Sequence, residues 1–165
     1  NPEKKFAGTT LNLLTDLLDK YSRDFFYHVE LKATDEKLAN FTLDILKKYN
    51  LLDRVIISSF HREQLVRMQK LNATLPLCHL VDEKVFPDLM QAMKDDKAAG
   101  FGIVAIRAPI LSAAYVKQAH DLGLSIRGWG VKEKADMKNA LASGAEGMTI
   151  DWPDWLIREV LQVVR

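Results

Sequence analysis

Short apolar runs alternate along this chain with longer stretches in which apolar residues recur every three or four positions. The first pattern predicts strands and the second predicts helices. Thr10 to Tyr21 reads as a helix with Leu11, Leu14, Leu17 and Leu18 on one face. Phe25 to Lys32 is the first predicted strand. Thr34 and Asp35 then supply helix-start chemistry, and Leu38, Phe41, Leu43, Ile45 and Leu46 are expected on the apolar side of the helix that follows. Further strands are predicted at Arg54 to Phe60, Pro76 to Val81, Gly102 to Arg107, Leu124 to Val131 and Gly147 to Ile150. Helices are expected from Glu63 to Leu71, Val85 to Lys97, Ser112 to Leu122 and Glu133 to Ser143. Gly123 and Gly144 follow the last two and suit left-handed caps. Pro153 fits the first turn of a last helix ending at Val164.

Six βα units behind one leading helix imply a parallel sheet with helices outside it, either a doubly wound open sheet or a barrel. The first βα turn, Lys32-Ala33-Thr34, carries no glycine-rich phosphate loop, which disfavours dinucleotide binding. A full eight-unit barrel typically needs ~250 residues. These 165 residues read as one domain, 1–165, two units short of that.

The composition, 48% hydrophobic and 27% charged, allows an ordinary globular core, and a net charge of +1 without a basic stripe gives nucleic-acid binding no support. No apolar run is long enough to span a membrane, and no signal peptide is expected, so cytoplasm is the default location. The lone Cys78 reads as a buried apolar residue, without metal-type spacing around it.

The densest candidate chemistry is His28-Val29-Glu30-Leu31-Lys32. Strand alternation puts His28, Glu30 and Lys32 on one face. An acid and a base together at the end of a strand suit a charged ligand or a metal, or else an ion pair lining the mouth of the fold. His28, deeper along the strand, is expected in a hydrogen-bonded core role. His61 reads as a loop or helix-start histidine, His79 as core or mouth, and His120 as exposed. Trp129 and Arg127 share a face of their strand. Arg127 pairs with an inward carboxylate or contacts phosphate, and Asp151 is expected to cap the final helix.

Several motifs resemble the glycerophosphodiester phosphodiesterase family. His28 to Lys32 is similar to its apolar-Glu-apolar-Lys strand, and Val55-Ile56-Ile57-Ser58-Ser59-Phe60 to its apolar run ending in Ser-Phe. Gly123 to Val131 resembles its Trp-bearing strand, and Gly144 to Pro153 its closing strand ending Thr-Asp-aromatic-Pro, with Ile150 where the family has Thr. Thr10 to Leu14 resembles the helix before the Glu/Lys strand. The resemblance implies a (β/α)₈ barrel of which this chain carries strands three to eight, an incomplete barrel with about six of eight units. It implies hydrolysis of a glycerophosphodiester to an alcohol and glycerol 3-phosphate, aided by a divalent metal, Mg²⁺ or Ca²⁺. Glu30 would be a metal ligand, Lys32 a phosphate-facing cation, and Trp129 an apolar wall for the substrate. The family's His-Arg-Gly strand, Glu-x-Asp strand and His-Asp segment have no counterpart in these residues. The metal site is therefore expected to be incomplete, and no catalytic residue is assigned. The chain alone is expected to be inactive, as a partial phosphodiesterase or as a barrel remnant acting as a binding or assembly module. A chance match within an unrelated barrel enzyme is the third reading. The first and last strands would be open edges, through which the chain could form a homo-oligomer.

Overall fold

The computed structural model describes residues 8–163, and side chains through residue 159. The expected last-helix end, Val164, and the domain limits at 1 and 165 lie outside the described residues. The elements are α1 (Leu14–Tyr21), β1 (Tyr27–Glu30), α2 (Leu38–Lys48), β2 (Val55–Ser59), α3 (Arg62–Leu71), β3 (Leu77–Val81), α4 (Leu89–Ala98), β4 (Ile103–Arg107), a 3₁₀ turn (Ala108–Ile110), α5 (Ala113–Asp121), β5 (Ser125–Val131), α6 (Lys134–Ser143), β6 (Gly147–Ile150) and α7 (Pro153–Val163). All six strands are parallel and lie in chain order, with β1 and β6 at the two edges. Residues from both edge strands line one cavity, so the sheet curls into an incomplete barrel.

Strand alternation decides what each side of the curl holds. Val55 and Ile57, Leu77 and Val81, and Val104 and Ile106 face the helices and are buried there with residues such as Leu46, Met68, Met93 and Val116. The opposite parity faces inward and is mixed: Ser58, Cys78 and Ala105 beside the larger apolar Ile56, Leu80, Ile103 and Trp129. β5 breaks this rule once. A register shift lies between Gly128 and Val131, and Gly130 has φ +71°. That bulge turns Val131 to the helix side, although plain alternation would place it beside Trp129.

The helix ends follow their local chemistry. Asp88 accepts the Gln91 N–H at 2.9 Å, and Asp136 accepts the N–H groups of Lys132 and Glu133 at 3.0 and 3.2 Å. Gly123 and Gly144 take the left-handed conformation expected of them, at φ +68° and +83°.

Several sequence expectations fail at the outer surface. Phe41 is 61% exposed, because the buried stripe of α2 runs through Ala39, Thr42, Leu43 and Leu46 instead. Pairing of β1 begins only at Tyr27 and ends at Glu30, leaving Phe25, Phe26 and Lys32 outside the strand. α1 starts at Leu14, and of its expected apolar face only Leu18 is buried. Pro87 and the Asp88 cap delay α4 to Leu89, so Val85 falls in the preceding turn. Asp151 makes no capping bond to α7 among the described residues.

One polar cluster lies inside the helix-side core. The His79 Nδ1–H donates to Asp96 Oδ2 at 2.8 Å with both side chains fully buried, and Arg62 Nε donates to Asp96 Oδ1 at 3.2 Å. The Arg62 guanidinium also lies over the Phe101 ring. This cluster ties β3 to α4 and α3, so His79 is a core residue. Asp96→Ala strips a buried carboxylate from its two donors. It is expected to lower stability by about 3–5 kcal/mol. The urea midpoint checks this. Asp121→Ala, which breaks only the exposed pair with Lys117, is expected to cost less than ~1 kcal/mol; equal losses for the two variants would contradict the assignment.

Candidate active site

The inward parity of the strands meets at a cavity of about 220 Å³. Glu30 from β1, Ser58 from β2 and Phe60 just beyond it, Leu80 from β3, and Arg127 and Trp129 from β5 line it, with Cys78 and His28 deeper along their strands. Trp129 is fixed at both ends. Its indole N–H donates to the Val81 carbonyl at 3.1 Å, and its ring meets Phe60 edge-on with centroids 4.9 Å apart. The Gly130 bulge follows directly, so the indole stands where the strand ends.

Glu30 and Trp129 therefore share one cavity. Lys32 does not line it. Its ammonium is 3.6 Å from Glu30 Oε2, and its side chain is 78% exposed. Because β1 has ended, alternation no longer aims Lys32 inward, and the pair sits at the rim, where such contacts contribute little to stability.

The segment carrying Lys32 is held from the next βα unit. Ser59 Oγ donates to the Leu31 carbonyl at 2.6 Å and accepts the His61 N–H at 2.9 Å. His61 Nε2 lies 3.0 Å from the Lys32 carbonyl, which can only accept, so this nitrogen carries the proton. Buried Gln64 donates to the carbonyls of Ala33 and Asp35 at 2.7 and 2.8 Å. His61 is thus the helix-start residue expected, and its ring serves the loop. Ser59 and Gln64 were missed by sequence reasoning. The Ser-Phe motif hinted at the first, and no local signal marked the second.

His28 is a correction. It is exposed on the edge strand and faces the cavity, with no hydrogen-bond partner for its ring among the described residues. Core burial requires a neighbouring strand on the free side of β1, and none of the described strands lies there. Partial desolvation, and then the positive charge of Arg127, hold the imidazole below its usual pKa. It is neutral near pH 7. His120, expected to be exposed, is so, and bonds Glu146 at 2.6 Å. Glu146 is pushed up by burial but held below the usual carboxylate range by the Ile126 N–H and by His120.

The fit to a metal is partial. Among the described residues Glu30 is the only carboxylate lining this cavity, and no group of three or more His, Cys, Asp or Glu side chains able to hold an ion occurs. Mg²⁺ can be held by one or two carboxylates with substrate phosphate and water. The described residues offer one such ligand and do not complete a site. Among them, no helix is long and apolar enough to cross a membrane.

The sequence model of the glycerophosphoryl diester phosphodiesterase family matches residues 10–155. A glycerophosphodiester phosphodiesterase of Bacillus subtilis is 28% identical over 172 residues, covering 93% of this chain and 56% of the relative. The chain spans 56% to 65% of the length of the curated relatives it matches. A candidate glycerophosphoryl diester phosphodiesterase from Silicibacter pomeroyi superposes with a TM-score of 0.81 at 22% identity, over 91% of this chain and 56% of that one. An Oleispira antarctica phosphodiesterase, solved in complex with the product sn-glycerol-3-phosphate, gives 0.69 at 14% identity, over 89% and 58%. At these identities the two structures bear on the fold alone.

Cys78 gives this geometry a direct check. Burial pushes its thiol up to about 12, against a smaller opposing pull from Arg127. The thiolate fraction at pH 8 is then on the order of 10⁻⁴. A thiol reagent at pH 8 is expected to modify the native chain orders of magnitude more slowly than the unfolded one. Equal rates would show that the inner wall is open at Cys78.

Proposed function

The chain belongs to the glycerophosphoryl diester phosphodiesterase family, and on that premise we propose that its cavity is the substrate-binding half of a glycerophosphodiester site. The observation that carries this reading is the convergence of Glu30 and Trp129 on one cavity at the C-terminal ends of parallel strands, where barrel enzymes place their chemistry. In this reading Trp129 and Phe60 form an apolar wall for the glycerol or head-group carbons. Lys32, at the rim, draws the phosphodiester anion in as a point charge. Glu30 is one carboxylate ligand for a divalent cation, Mg²⁺ or Ca²⁺, which when bound neutralises charge on the phosphoryl oxygens.

Hydrolysis adds water across the P–O bond to the alcohol. A base must take a proton from the water, and an acid must give one to the departing alkoxide. Neutral His28 is the single histidine lining this cavity among the described residues. Among the described residues the lining adds one carboxylate, Glu30, assigned above to the metal, and no second histidine. The 165-residue chain is therefore proposed to bind glycerophosphodiesters and their glycerol 3-phosphate product without appreciable turnover, each missing proton-transfer group costing roughly 10²-fold or more. A cytoplasmic location goes with this reading. So does assembly of copies through the free edges of β1 and β6, where backbone groups are available to a further strand.

Calorimetry with sn-glycerol 3-phosphate and Mg²⁺ tests the binding. Trp129→Ala is expected to weaken it several-fold, and Glu30→Gln is expected to abolish its dependence on Mg²⁺. Assays with a glycerophosphodiester are expected to stay at background. Turnover that requires metal and is lost in His28→Ala would contradict the assignment of this chain as a binding half. Light scattering is expected to give a mass above that of one chain; a stable monomer would contradict assembly through the edges.

A further inference from the structure

Arg127 is the one strong cation on the inner wall of the cavity, and among the described residues no carboxylate pairs with it. Its guanidinium carries five N–H donors and stays charged at any ordinary pH. The protein uses one of them, from Nη2 to the Met148 carbonyl, at a long 3.4 Å. Among the described residues Arg23, Arg62, Arg67, Arg107 and Arg158 each pair with a carboxylate, Arg107 with Glu83 at 3.0 Å, while Arg54 at the outer surface lies over the Phe26 ring instead. Leaving a partly buried guanidinium unpaired is costly unless something else supplies the negative charge.

The surrounding residues make room for this group and hold it in place. In the β5–β6 register Arg127 lies directly opposite Gly147. A Cβ at Gly147 would come within 2.8 Å of Arg127 Cζ, and closer still to Nη1, so the guanidinium occupies the space that a side chain there would fill. Three other polar side chains face the same cavity without a hydrogen-bond partner among the described residues: the Ser58 and Thr149 hydroxyls and the His28 ring. The charge of Arg127 is felt by its neighbours, lowering the pKa of His28 after desolvation and opposing the rise at Cys78.

We propose that Arg127, with Ser58 and His28 beside it, forms an anion position in the inner wall of the cavity that takes the phosphoryl oxygens of a bound phosphate ester. This position is distinct from Lys32 at the rim. The fork of Arg127 accepts two oxygens of one phosphoryl group, which the point charge of a lysine does not. The Ser58 hydroxyl and the His28 ring, which line the same cavity, offer further hydrogen-bond donors. Gly147 is a positioning residue, keeping the guanidinium flat over β6. The identity of the ester as a glycerophosphodiester rests on the function proposed above. The anion position itself rests on the unpaired guanidinium.

Calorimetric titration of the full chain with inorganic phosphate, without metal, tests the anion position. Saturable binding is expected. Arg127→Met is expected to weaken it by about tenfold or more, the loss of a charge-assisted hydrogen-bonded contact. Arg127→Lys, keeping the charge but not the fork, is expected to fall between the two. Gly147→Ala meets only the movable end of Arg127 and leaves the backbone unstrained, so it is expected to fold normally and still bind phosphate several-fold more weakly. Thermal melting confirms that each variant is folded. No phosphate binding by the unsubstituted chain, or binding within twofold of it in both Arg127→Met and Gly147→Ala, would overturn the proposal. A glycerophosphodiester that binds through Trp129 but ignores Arg127 would sink this proposal and leave the function intact. Phosphate binding that needs Arg127, with no gain for the glycerophosphodiester, would sink the function and leave this proposal intact.

Discussion

Parallel pairing of six strands in chain order constrains every other feature of this molecule. Each strand is locked to its neighbours by backbone hydrogen bonds, so the parity of a residue fixes the side it faces. Large aliphatic residues take the helix side and bury the outer core. The inner side mixes small and polar residues such as Ser58, Cys78, Ala105 and Arg127 with Ile56, Leu80, Ile103 and Trp129, and leaves a cavity there. A shift of one residue in any strand would exchange the two sets. The Gly130 bulge is the single local exception near the site. It lets β5 present Trp129 inward and Val131 outward over three residues.

The same constraint explains what could be read from the sequence. The order of the elements and the parallel sheet follow from hydrophobic period, and the shared faces of His28 with Glu30 and of Arg127 with Trp129 from strand alternation; the inward direction of Glu30 and Trp129 comes from the barrel that the family resemblance implies. The errors come from features that alternation does not contain. Lys32 has the right parity, but β1 stops at Glu30, so its side chain turns to solvent. Phe41 fits a helical apolar stripe by type, yet the stripe is set by which side of α2 meets the sheet, and Thr42 is buried instead. His28 was expected in the core from its depth along the strand; on an edge strand that depth does not bury it, and it is exposed. Ser59, Gln64 and Asp96 act through partners about 17 to 31 positions away in the chain, and no local pattern announces such bonds.

The chemistry of the site divides along the sheet. Residues from the middle and far strands, Phe60, Leu80, Arg127 and Trp129, provide walls and a fixed cation. The near edge provides Glu30 and His28, the side chains able to bind metal or move a proton. That edge is held by contacts from β2 and α3 through Ser59, His61 and Gln64, not by a second neighbouring strand among those described. Glu30 and His28 thus sit on a strand with one described neighbour, and Arg127 and Trp129 on a strand paired on both sides.

The central claim is that a phosphate ester binds on the concave side, against β1, β2 and β5. Amide and indole resonances followed by NMR during titration with sn-glycerol 3-phosphate and Mg²⁺ test this most directly. The account predicts saturable shifts gathered at Glu30, Ser58, Arg127 and the Trp129 indole, with the His79 and Asp96 region on the helix side unmoved. Shifts centred on His79 and Asp96, or no saturable shift on the concave side, would contradict it.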